Sequence, residues 1–243
     1  MSRERADKVL VARGLFESRA RAQAAIAAGL AFADGVQIKD PSTPIAPNAR
    51  LEAQAPHPWV SRGGVKLAFA LEHFGVSAKD RICLDIGAST GGFTDVLLQN
   101  GAAKIFAVDV GAGQLHPGVA GSNRVVNLEK TDSRTLNADL IPAPPSLITA
   151  DLSFIGLEKA LAAPLALAAP GAILIALVKP QFQLGPERLG KGGVIRDETA
   201  SAEAVDLVSR WLETQDWRVT GNADSPILGG DGNKEALLCA RRM

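Results

Sequence analysis

The chain has 243 residues, of which 47% are hydrophobic and 21% charged, a composition typical of an ordinary globular protein. The 26 Lys and Arg balance the 26 Asp and Glu, so the formal net charge is zero and any basic surface for nucleic acid must be local. The two cysteines, Cys83 and Cys239, lie in apolar runs, which excludes a disulfide scaffold and predicts a reducing, cytoplasmic location. No apolar signal segment follows the charged start of the chain.

Residues 1–55 predict a small α+β unit. Ser18 is a predicted N-cap for the second of two short helices, each of which is closed by a glycine. Asp34-Gly35 between apolar runs is typical of a tight hairpin turn. The predicted elements are helices at 6–13 and 19–28 and strands at 31–33, 36–39 and 50–53, followed by a proline-containing linker at 56–62.

From residue 63 onward, apolar strands alternate with helices. This alternation predicts right-handed crossovers and a Rossmann-like α/β domain at 63–243 with a mostly parallel sheet. Only a loop separates the last two strands, so we expect them to form an antiparallel pair. The seven predicted strands are 81–86, 103–109, 125–128, 146–150, 172–178, 217–223 and 234–240, and the predicted helices are 65–74, 92–99, 157–168 and 199–213.

An uncharged run at 160–178 is long enough to span a membrane. Pro164 and the Pro170-Gly171 pair interrupt the run, and Pro-Gly is a strong turn signal. The run therefore predicts the end of a helix followed by a strand that is buried on both faces. We expect no membrane insertion.

A glycine-rich segment follows the first strand of the predicted sheet, at the edge where such folds bind ligands. Glycine lets the backbone approach a ligand closely, although a tight turn without a ligand has the same composition. Asp109, about 20 residues further on, ends the next strand, at the position where a carboxylate binds ribose hydroxyls. The candidate cofactor-binding residues in and after this segment are Asp85, Gly87, Ala88, Ser89, Thr90, Gly91, Gly92 and Asp109.

The spacing of this segment distinguishes between two cofactors. Dinucleotide binding requires Gly-x-Gly-x-x-Gly with a pyrophosphate at the helix N-terminus, whereas the segment has Asp-x-Gly-x-x-x-Gly-Gly. The carboxylate of Asp85 would repel a pyrophosphate but suits the ammonium group of a methionine moiety. We therefore favour S-adenosylmethionine (SAM) over NAD.

Charged residues also occur where apolar strands end or begin, which is informative because such strands usually end in turn residues. Asp151 and Lys179 directly follow buried strands, and Glu235 opens the last strand. Lys66 lies on the helix before the first strand. Taken singly, Lys66 is typical of a solvated helix charge and Glu235 of a surface charge. Lys179 follows the most apolar strand, where we expect an ammonium group to need a partner.

These charges resemble, in order and context, the Lys-Asp-Lys-Glu tetrad of the FtsJ-like ribose 2′-O-methyltransferases. The matching positions are Lys66, Asp151, Lys179 and Glu235. Residues 1–55 resemble an S4-type RNA-binding domain. The junction 58–64 and the loop 190–197 are similar to those of the TlyA family, which comprises ribosomal RNA methyltransferases often labelled hemolysins. This resemblance covers essentially the whole chain.

The resemblance implies methyl transfer from SAM to a ribose 2′-hydroxyl of a cytidine in large-subunit RNA, and in some members also in small-subunit RNA. It implies that Lys179 contacts the hydroxyl, because a desolvated lysine beside a second cation can accept a proton. Lys66 would supply the second charge, and Asp151 and Glu235 would orient and balance the two ammonium groups. Asp132 resembles the adenine-binding position of the fold.

The predicted partner is ribosomal RNA within ribosomal subunits. Residues 1–55 hold eight Lys and Arg against six Asp and Glu, so we expect modest RNA affinity for this unit alone. The predicted phosphate contacts are Arg3, Arg5, Arg19 and Lys39. We expect the chain to act as a monomer.

No metal site is predicted, because His57, His73 and His116 lack the spacing of metal ligands. Two other functions stay open. A cytolytic hemolysin would need an apolar membrane segment that is not interrupted by prolines. A non-catalytic RNA-binding protein that retains the methyltransferase fold would be expected to lose tetrad positions, and all four positions are intact.

Overall fold

A computed structural model describes residues 3–243. These residues divide between Pro58 and Trp59 into two compact units, and the division falls within the predicted linker 56–62. One apolar cluster lies in the first unit and two lie in the second. Each unit therefore has a core of its own, as expected of separate domains.

In the N-terminal unit, two helices and the strands share one apolar cluster, which includes Leu10, Ile26 and Ala31. The elements are β1 (Glu4–Arg5), α1 (Ala6–Ala12), α2 (Arg19–Ala27), β2 (Ala31–Ala33), β3 (Val36–Gln37), β4 (Pro44–Ile45) and β5 (Leu51–Ala53). An antiparallel sheet has the order β3-β2-β5. The predicted helices, hairpin and last strand of this unit are thereby confirmed.

The predicted N-cap and turn are both present. The Ser18 hydroxyl accepts a hydrogen bond from the backbone N–H of Arg21 at 3.4 Å, at the start of α2. Asp34 and Gly35 have φ angles of 50° and 78°, the left-handed conformation that the turn between β2 and β3 requires. Local patterns did not predict the pairing of β1 with β4, because it joins segments far apart in the sequence.

The second unit contains one seven-stranded sheet. Its strands are β6 (Ile82–Ile86), β7 (Lys104–Val108), β8 (Val125–Leu128), β9 (Leu147–Ala150), β10 (Ile173–Val178), β11 (Trp217–Asp224) and β12 (Ala236–Arg242). Their order is β11-β12-β10-β9-β6-β7-β8. β12 runs antiparallel to both neighbours, and the other neighbouring pairs are parallel. The predicted α/β fold, with its antiparallel last pair, is confirmed.

Helices cover both faces of this sheet, and each face has its own apolar cluster. The helices are α3 (Gly63–His73), α4 (Gly92–Gln99), α5 (Pro117–Ala120), α6 (Leu157–Ala166), α7 (Pro180–Gln183) and α8 (Ala200–Glu213). Leu84 and Ile86 belong to the cluster that contains α6 and α8 residues, and Cys83 belongs to the cluster of α3 and α4. Because both faces are buried, the strands carry continuous apolar runs.

The uncharged run 160–178 contains the end of α6, a turn and β10. Pro164 lies inside α6 and does not end it, whereas Gly171 has a φ angle of 69° in the turn before β10. Across the described residues 3–243, no helix is both long and apolar enough to cross a membrane.

The last strand begins later than predicted. β12 starts at Ala236 rather than at residue 234, so Glu235 precedes the strand instead of opening it. The physical reason is the neighbouring strand. Ala236 pairs with Val178, the last residue of β10, and the chain soon reaches Pro180, which has no N–H for a ladder hydrogen bond.

Candidate active site

The register of the sheet brings the predicted site residues to one edge. The last residue of β6 pairs with the last residue of β7 on one side and with that of β9 on the other. The residues that follow these strands therefore lie side by side, in the order Asp151, Gly87 and Asp109. The last residue of β10 pairs with the first residue of the antiparallel β12. Lys179, which follows β10, and Glu235, which precedes β12, therefore lie at the same edge of the sheet.

The loop between β6 and α4 requires glycine at two positions. Gly87 has a φ angle of 82°, and a side chain there would collide with the carbonyl oxygen of Asp151. Gly91 has a φ angle of 91° at the N-cap of α4. The predicted cofactor loop therefore packs directly against the predicted tetrad residue Asp151.

Other residues of this loop shape it without lining the cavity described below. The N–H of Ala88 donates to the carbonyl of Val108 at 3.0 Å, and the carbonyl of Thr90 accepts from the N–H of His116 at 3.2 Å. A side chain on Gly92 would collide with the hydroxyl of Ser61. These contacts fix the path of the backbone around the loop.

Asp109 holds the loop from the next strand. Its carboxylate accepts hydrogen bonds from the backbone N–H of Ser89 at 2.8 Å and from that of Gly111 at 2.7 Å. The two bonds use different oxygens. Each oxygen therefore keeps a lone pair that can accept a further hydrogen bond.

Glu129 supports the same site, and no short sequence motif indicated it. Its Oε1 accepts hydrogen bonds from the backbone N–H of Gln114 at 2.7 Å and of Leu115 at 3.1 Å. Backbone donors, that of Gly113 first, lower the pKa of Glu129 to about 2. Glu129 is thus a charged residue that organises the loop after β7.

A cavity of about 310 Å³ opens at this edge of the sheet. The predicted site residues that line it are Gly87, Ser89, Asp109 and Asp151. The remaining lining residues are Ile86, Val108, Val110, Gln114, Thr131, Ser133, Leu152, Ser153 and Phe154. The wall therefore combines two carboxylates with polar and apolar groups, and no lysine or arginine is part of it.

Asp85 is fully buried beneath the loop and does not line the cavity. Its two oxygens accept hydrogen bonds from the hydroxyl of Thr94 at 2.6 Å and from that of Thr149 at 2.8 Å. Burial raises the pKa of Asp85 to about 6, although the two hydroxyls oppose the rise. In this structure Asp85 joins β6 to α4 and β9.

Asp132 also does not line the cavity, whereas its neighbours Thr131 and Ser133 do. Its carboxylate caps the short helical turn at 133–135 and accepts hydrogen bonds from the Arg134 guanidinium, with an N–O distance of 2.5 Å. These hydrogen bonds lower the pKa of Asp132 to about 2. The carboxylate is therefore ionised and paired near neutral pH.

The four predicted catalytic residues form two ion pairs. The Nζ of Lys66 lies 2.5 Å from Oε2 of Glu235, and both side chains are buried. The Nζ of Lys179 lies 2.6 Å from Oδ1 of Asp151 and donates a hydrogen bond to Oγ of Ser153 at 3.0 Å. Lys179 and Asp151 are 11% and 21% exposed, so the second pair is accessible at the border of the cavity.

The start of α3 packs beside this second pair. A Cβ on Gly63, the first residue of α3, would lie 3.8 Å from Oδ2 of Asp151. Lys66 lies on the first turn of the same helix. Within residues 3–243, no group of three or more His, Cys, Asp and Glu side chains is placed to hold a metal ion.

Phe154 is a further residue of the site that the sequence pattern did not indicate. Its φ angle of 67° lies in the left-handed region, which is uncommon for a bulky residue. The residue is 91% exposed, lines the cavity and has its ring centroid 5.1 Å from that of Phe182. An exposed aromatic ring on a strained backbone is typical of a functional position.

In the N-terminal unit, the predicted phosphate contacts fall into two groups. Arg3 and Lys39 are exposed. Arg5 and Arg19 bind the buried carboxylate of Asp7, with N–O distances of 3.0 Å and 2.8 Å. Hydrogen bonding to Arg5 is the largest of the effects that hold the pKa of Asp7 well below its usual range. Both arginines remain about half exposed, at 43% and 51%.

Two family models match most of the chain. The model of the FtsJ-like methyltransferases matches residues 59–242, and that of the S4 domain matches residues 4–51. The 16S/23S rRNA (cytidine-2′-O)-methyltransferase TlyA of Mycobacterium tuberculosis is 42% identical over 98% of this chain and 90% of its own length. The chain belongs to the TlyA family.

Further similarities extend across the TlyA family. The 23S rRNA (cytidine-2′-O)-methyltransferase TlyA of Campylobacter jejuni is 39% identical over 73% of this chain and 68% of its own length. A solved structure from Streptococcus thermophilus, named as a hemolysin, has a TM-score of 0.78 at 38% identity and covers 100% of this chain and 90% of its own. The predicted S4 domain and FtsJ-like domain of a TlyA protein are therefore confirmed.

Proposed function

We propose that this chain transfers the methyl group of SAM to the 2′-hydroxyl of a cytidine in ribosomal RNA. The observation that carries the proposal is the ion pair of Lys179 and Asp151 at the border of the cavity, beside the cofactor loop. The TlyA relative from M. tuberculosis is named for this activity, and the similarity covers both domains.

SAM fits the cavity better than a dinucleotide does. SAM carries two positive groups, a ribose and no phosphate, and the carboxylates of Asp109 and Asp151 suit such a ligand. A pyrophosphate would face these two carboxylates, which repel it, and none of the lining residues is a lysine or arginine. The free lone pairs of Asp109 suit ribose hydroxyls, and Val108 and Val110 offer an apolar surface to adenine. Asp85 supports the loop from below.

When bound, SAM supplies a methyl group activated by a positively charged sulfur. The reaction forms a bond between the ribose O2′ and the methyl carbon, breaks the carbon–sulfur bond and releases the hydroxyl proton. The Lys179 ammonium, which is paired with Asp151, first releases a proton to solvent, and its free amine then accepts the proton of the hydroxyl. Asp151 holds its Nζ in place and stabilises the positive charge that Lys179 gains. Lys66, held by Glu235, keeps a second positive charge beside the reacting ribose.

Phe154 is the proposed contact for the target base. Aromatic side chains stack on bases that are single-stranded or turned out of a helix. Lys179 donates its hydrogen bond to Ser153, the residue next to Phe154. A base stacked on the exposed ring is therefore held close to the lysine that receives the hydroxyl proton.

Large-subunit RNA is the first expected substrate, because the names of both TlyA relatives include 23S rRNA. Small-subunit RNA is the second, because the M. tuberculosis name also includes 16S rRNA. Phosphate contacts of the S4 domain would come from Arg3, Arg5, Arg19 and Lys39. One chain provides the whole tetrad and cavity, which favours an active monomer, and a ribosomal substrate favours a cytoplasmic location.

Transfer of a tritiated methyl group from SAM to isolated ribosomal subunits tests the proposal. We expect label in large subunits that lack this modification, located on the ribose of a cytidine after nuclease digestion. Failure of the wild-type protein to label either subunit would overturn the proposed function. Label on a base instead of a ribose would overturn the roles assigned to the tetrad.

A further inference from the structure

Asn233 is a buried polar residue that lies outside the two ion pairs. It is 2% exposed. Its side-chain oxygen accepts a hydrogen bond from the backbone N–H of Ile195 at 2.9 Å, and its amide nitrogen donates to the carbonyl of Gly193 at 3.1 Å. A buried amide that binds one loop with both of its ends specifies the position of that loop.

The loop that Asn233 binds, residues 190–197, needs such a support. Gly192 and Gly193 have φ angles of 75° and 76°, with open space around each, and glycine backbone has high conformational freedom. Inside the loop, the N–H of Gly190 donates to the carbonyl of Val194 at 3.1 Å and the N–H of Gly193 to that of Gly190 at 3.0 Å. Among the hydrogen bonds found within residues 3–243, those that join residues 190–195 to a residue outside the loop all go to Asn233.

The same contact links the loop to both ion pairs of the site. In the chain, α7 lies between Lys179 and the loop. The hydrogen bonds of Asn233 join the loop to the segment just before Glu235. That segment is itself ordered, because the carbonyl of Asn233 accepts from the N–H of Gly229 at 2.9 Å. A cavity of about 270 Å³ lies under the loop and is bordered by Pro180, the neighbour of Lys179.

The loop carries two cations that the proposed chemistry does not use, and its one carboxylate, Asp197, is paired with Arg188. Lys191 and Arg196 are exposed, and Lys234, next to Asn233, is exposed as well. None of the ion pairs found among residues 3–243 includes these three side chains. Cations of this kind bind RNA phosphates and position the RNA without reading its sequence.

We propose that Asn233 is a positioning residue that holds the loop 190–197 in the conformation in which its cations bind substrate RNA beside Lys179. The inference rests on the proposed function and names a determinant of its RNA binding. A loop that is already ordered loses less entropy when RNA binds. Neither side-chain hydrogen bond of Asn233 involves the tetrad, so the residue acts on binding and not on methyl transfer.

Asn233→Ala in the full chain removes both hydrogen bonds. We expect KM for large ribosomal subunits to rise about tenfold while kcat changes by less than about twofold, because uniform binding is lost. SAM affinity should stay unchanged. Without RNA, trypsin should cut after Lys191 and Arg196 at least about fivefold faster, because local opening of the loop becomes easier. Asn222→Ala, at an exposed position of β11, is the matched control and should change none of these values.

A second variant removes one of these two hydrogen bonds from the loop side. Ile195→Pro deletes the N–H that donates to Asn233 and leaves the segment before Glu235 untouched. Val194 has φ and ψ angles of −93° and 126°, an extended conformation that tolerates a following proline. Ile195→Val keeps the N–H and is the control. Ile195→Pro should change the same values in the same direction as Asn233→Ala, and the double variant should be no worse than Asn233→Ala alone.

Unchanged trypsin cleavage in both variants would overturn the role of Asn233. A fall in kcat with an unchanged KM for the subunits would overturn it too. If the wild-type protein methylates neither subunit, the proposed function is overturned independently of the role of Asn233. The trypsin rates and the affinity of the chain for large subunits, measured by sedimentation, then decide the role of Asn233 separately.

Discussion

Among single residues, Lys179 is the one whose replacement separates chemistry from binding. Lys179→Met keeps most of the side-chain volume and deletes the ammonium group that pairs with Asp151. We expect methylation to fall by about 10²–10⁴-fold, the usual range for loss of a general base. SAM and RNA affinity should stay nearly unchanged, because the lost interaction belongs to the transition state. A single-turnover assay with saturating SAM measures the effect.

Two further variants complete this test. Lys179→Arg should not restore the rate, because a guanidinium stays protonated and cannot accept a proton. Lys159→Met, at an exposed position of α6, should leave the rate unchanged. A loss of less than about fivefold for Lys179→Met would contradict the tetrad. A lower Tm with an unchanged rate per folded molecule would indicate a structural ion pair instead.

Asp109 is the residue whose removal should weaken the cofactor site most directly. Asp109→Ala deletes the acceptor for the N–H groups of Ser89 and Gly111 and the proposed ribose contact. We expect SAM binding to weaken by about 1–3 kcal/mol, the range for charge-assisted hydrogen bonds. Titration calorimetry measures the affinity, with the exposed Asp206→Ala as control. Unchanged affinity would contradict the assigned cofactor site.

Asp85 should make the stability of the fold depend on pH. Burial raises its pKa from 3.8 to about 6, so between these values the folded chain binds more protons than the unfolded chain. The contribution of Asp85 to stability is therefore present at low pH and is lost as pH rises through this window. Asp85→Asn keeps a polar partner for Thr94 and Thr149 and removes the charge. It should stabilise the protein at pH 7.5 by up to about 3 kcal/mol.

Chemical unfolding at pH 4 and pH 7.5 measures this difference. The gain from Asp85→Asn should shrink towards the lower pH, where the wild-type carboxyl is also neutral. Asp206→Asn, on the exposed side of α8, should show no such dependence. A stability difference that is the same at both pH values would contradict the buried position of Asp85.

At the scale of elements, the carboxylate of Asp7 joins three segments of the N-terminal unit. Asp7 lies on α1 and binds Arg5 of β1 and both Arg19 and Gln23 of α2. Asp7→Asn removes the charge that these donors share, and we expect a loss of about 1–3 kcal/mol in the stability of this unit. Thermal unfolding of the full chain, monitored by proteolysis within residues 3–58, measures it.

The effect of Asp7 should also depend on pH. Because its folded pKa lies below the unfolded value, its contribution is present above the unfolded pKa near 3.8 and is lost as pH falls. Glu52→Gln is the control, since the Glu52–Arg50 pair is exposed and such surface pairs contribute little. Equal stability of Asp7→Asn and Glu52→Gln at pH 7 would contradict the role of Asp7. Arg5 and Arg19 therefore serve the fold of this unit besides any contact with RNA.

At the scale of the whole molecule, we expect the N-terminal unit to supply RNA binding that the chemistry of the second unit needs on ribosomal subunits. We expect a chain of residues 59–243 to keep its fold and its SAM binding but to lose methylation of ribosomal subunits, because the proposed S4 contacts are gone. Calorimetry and the tritium assay measure the two properties. Full activity of this chain on subunits would contradict this expectation.

The first residue of the shortened chain matters, because residues 59 and 60 contact the rest of the second unit. A side chain on Gly64 would collide with the Trp59 ring system, and the N–H of Val60 donates to Asp95 at 2.9 Å. A chain that begins at Ser61 loses both contacts. It should therefore unfold at a lower temperature than the chain that begins at Trp59, which is the matched control.

The sequence by itself predicted the longer helices and strands and several candidate site residues, because both depend on local signals. Continuous apolar runs indicate strands buried on both faces, and Ser18 and Asp34-Gly35 specify a cap and a turn through their own backbone preferences. The residues Asp109, Asp151 and Lys179 could be named because each follows such a strand. The end of a strand can be predicted from the local sequence pattern alone.

Only the tertiary structure decided which of these residues meet and which are accessible. The antiparallel register of β12 on β10 brings Glu235 to the edge that carries Lys179, and α3 carries Lys66 to Glu235. Burial beneath the loop separates Asp85 from the cavity. These outcomes depend on strand order, register and burial, which arise from contacts between residues far apart in the chain. Local sequence patterns do not indicate which distant residues make such contacts.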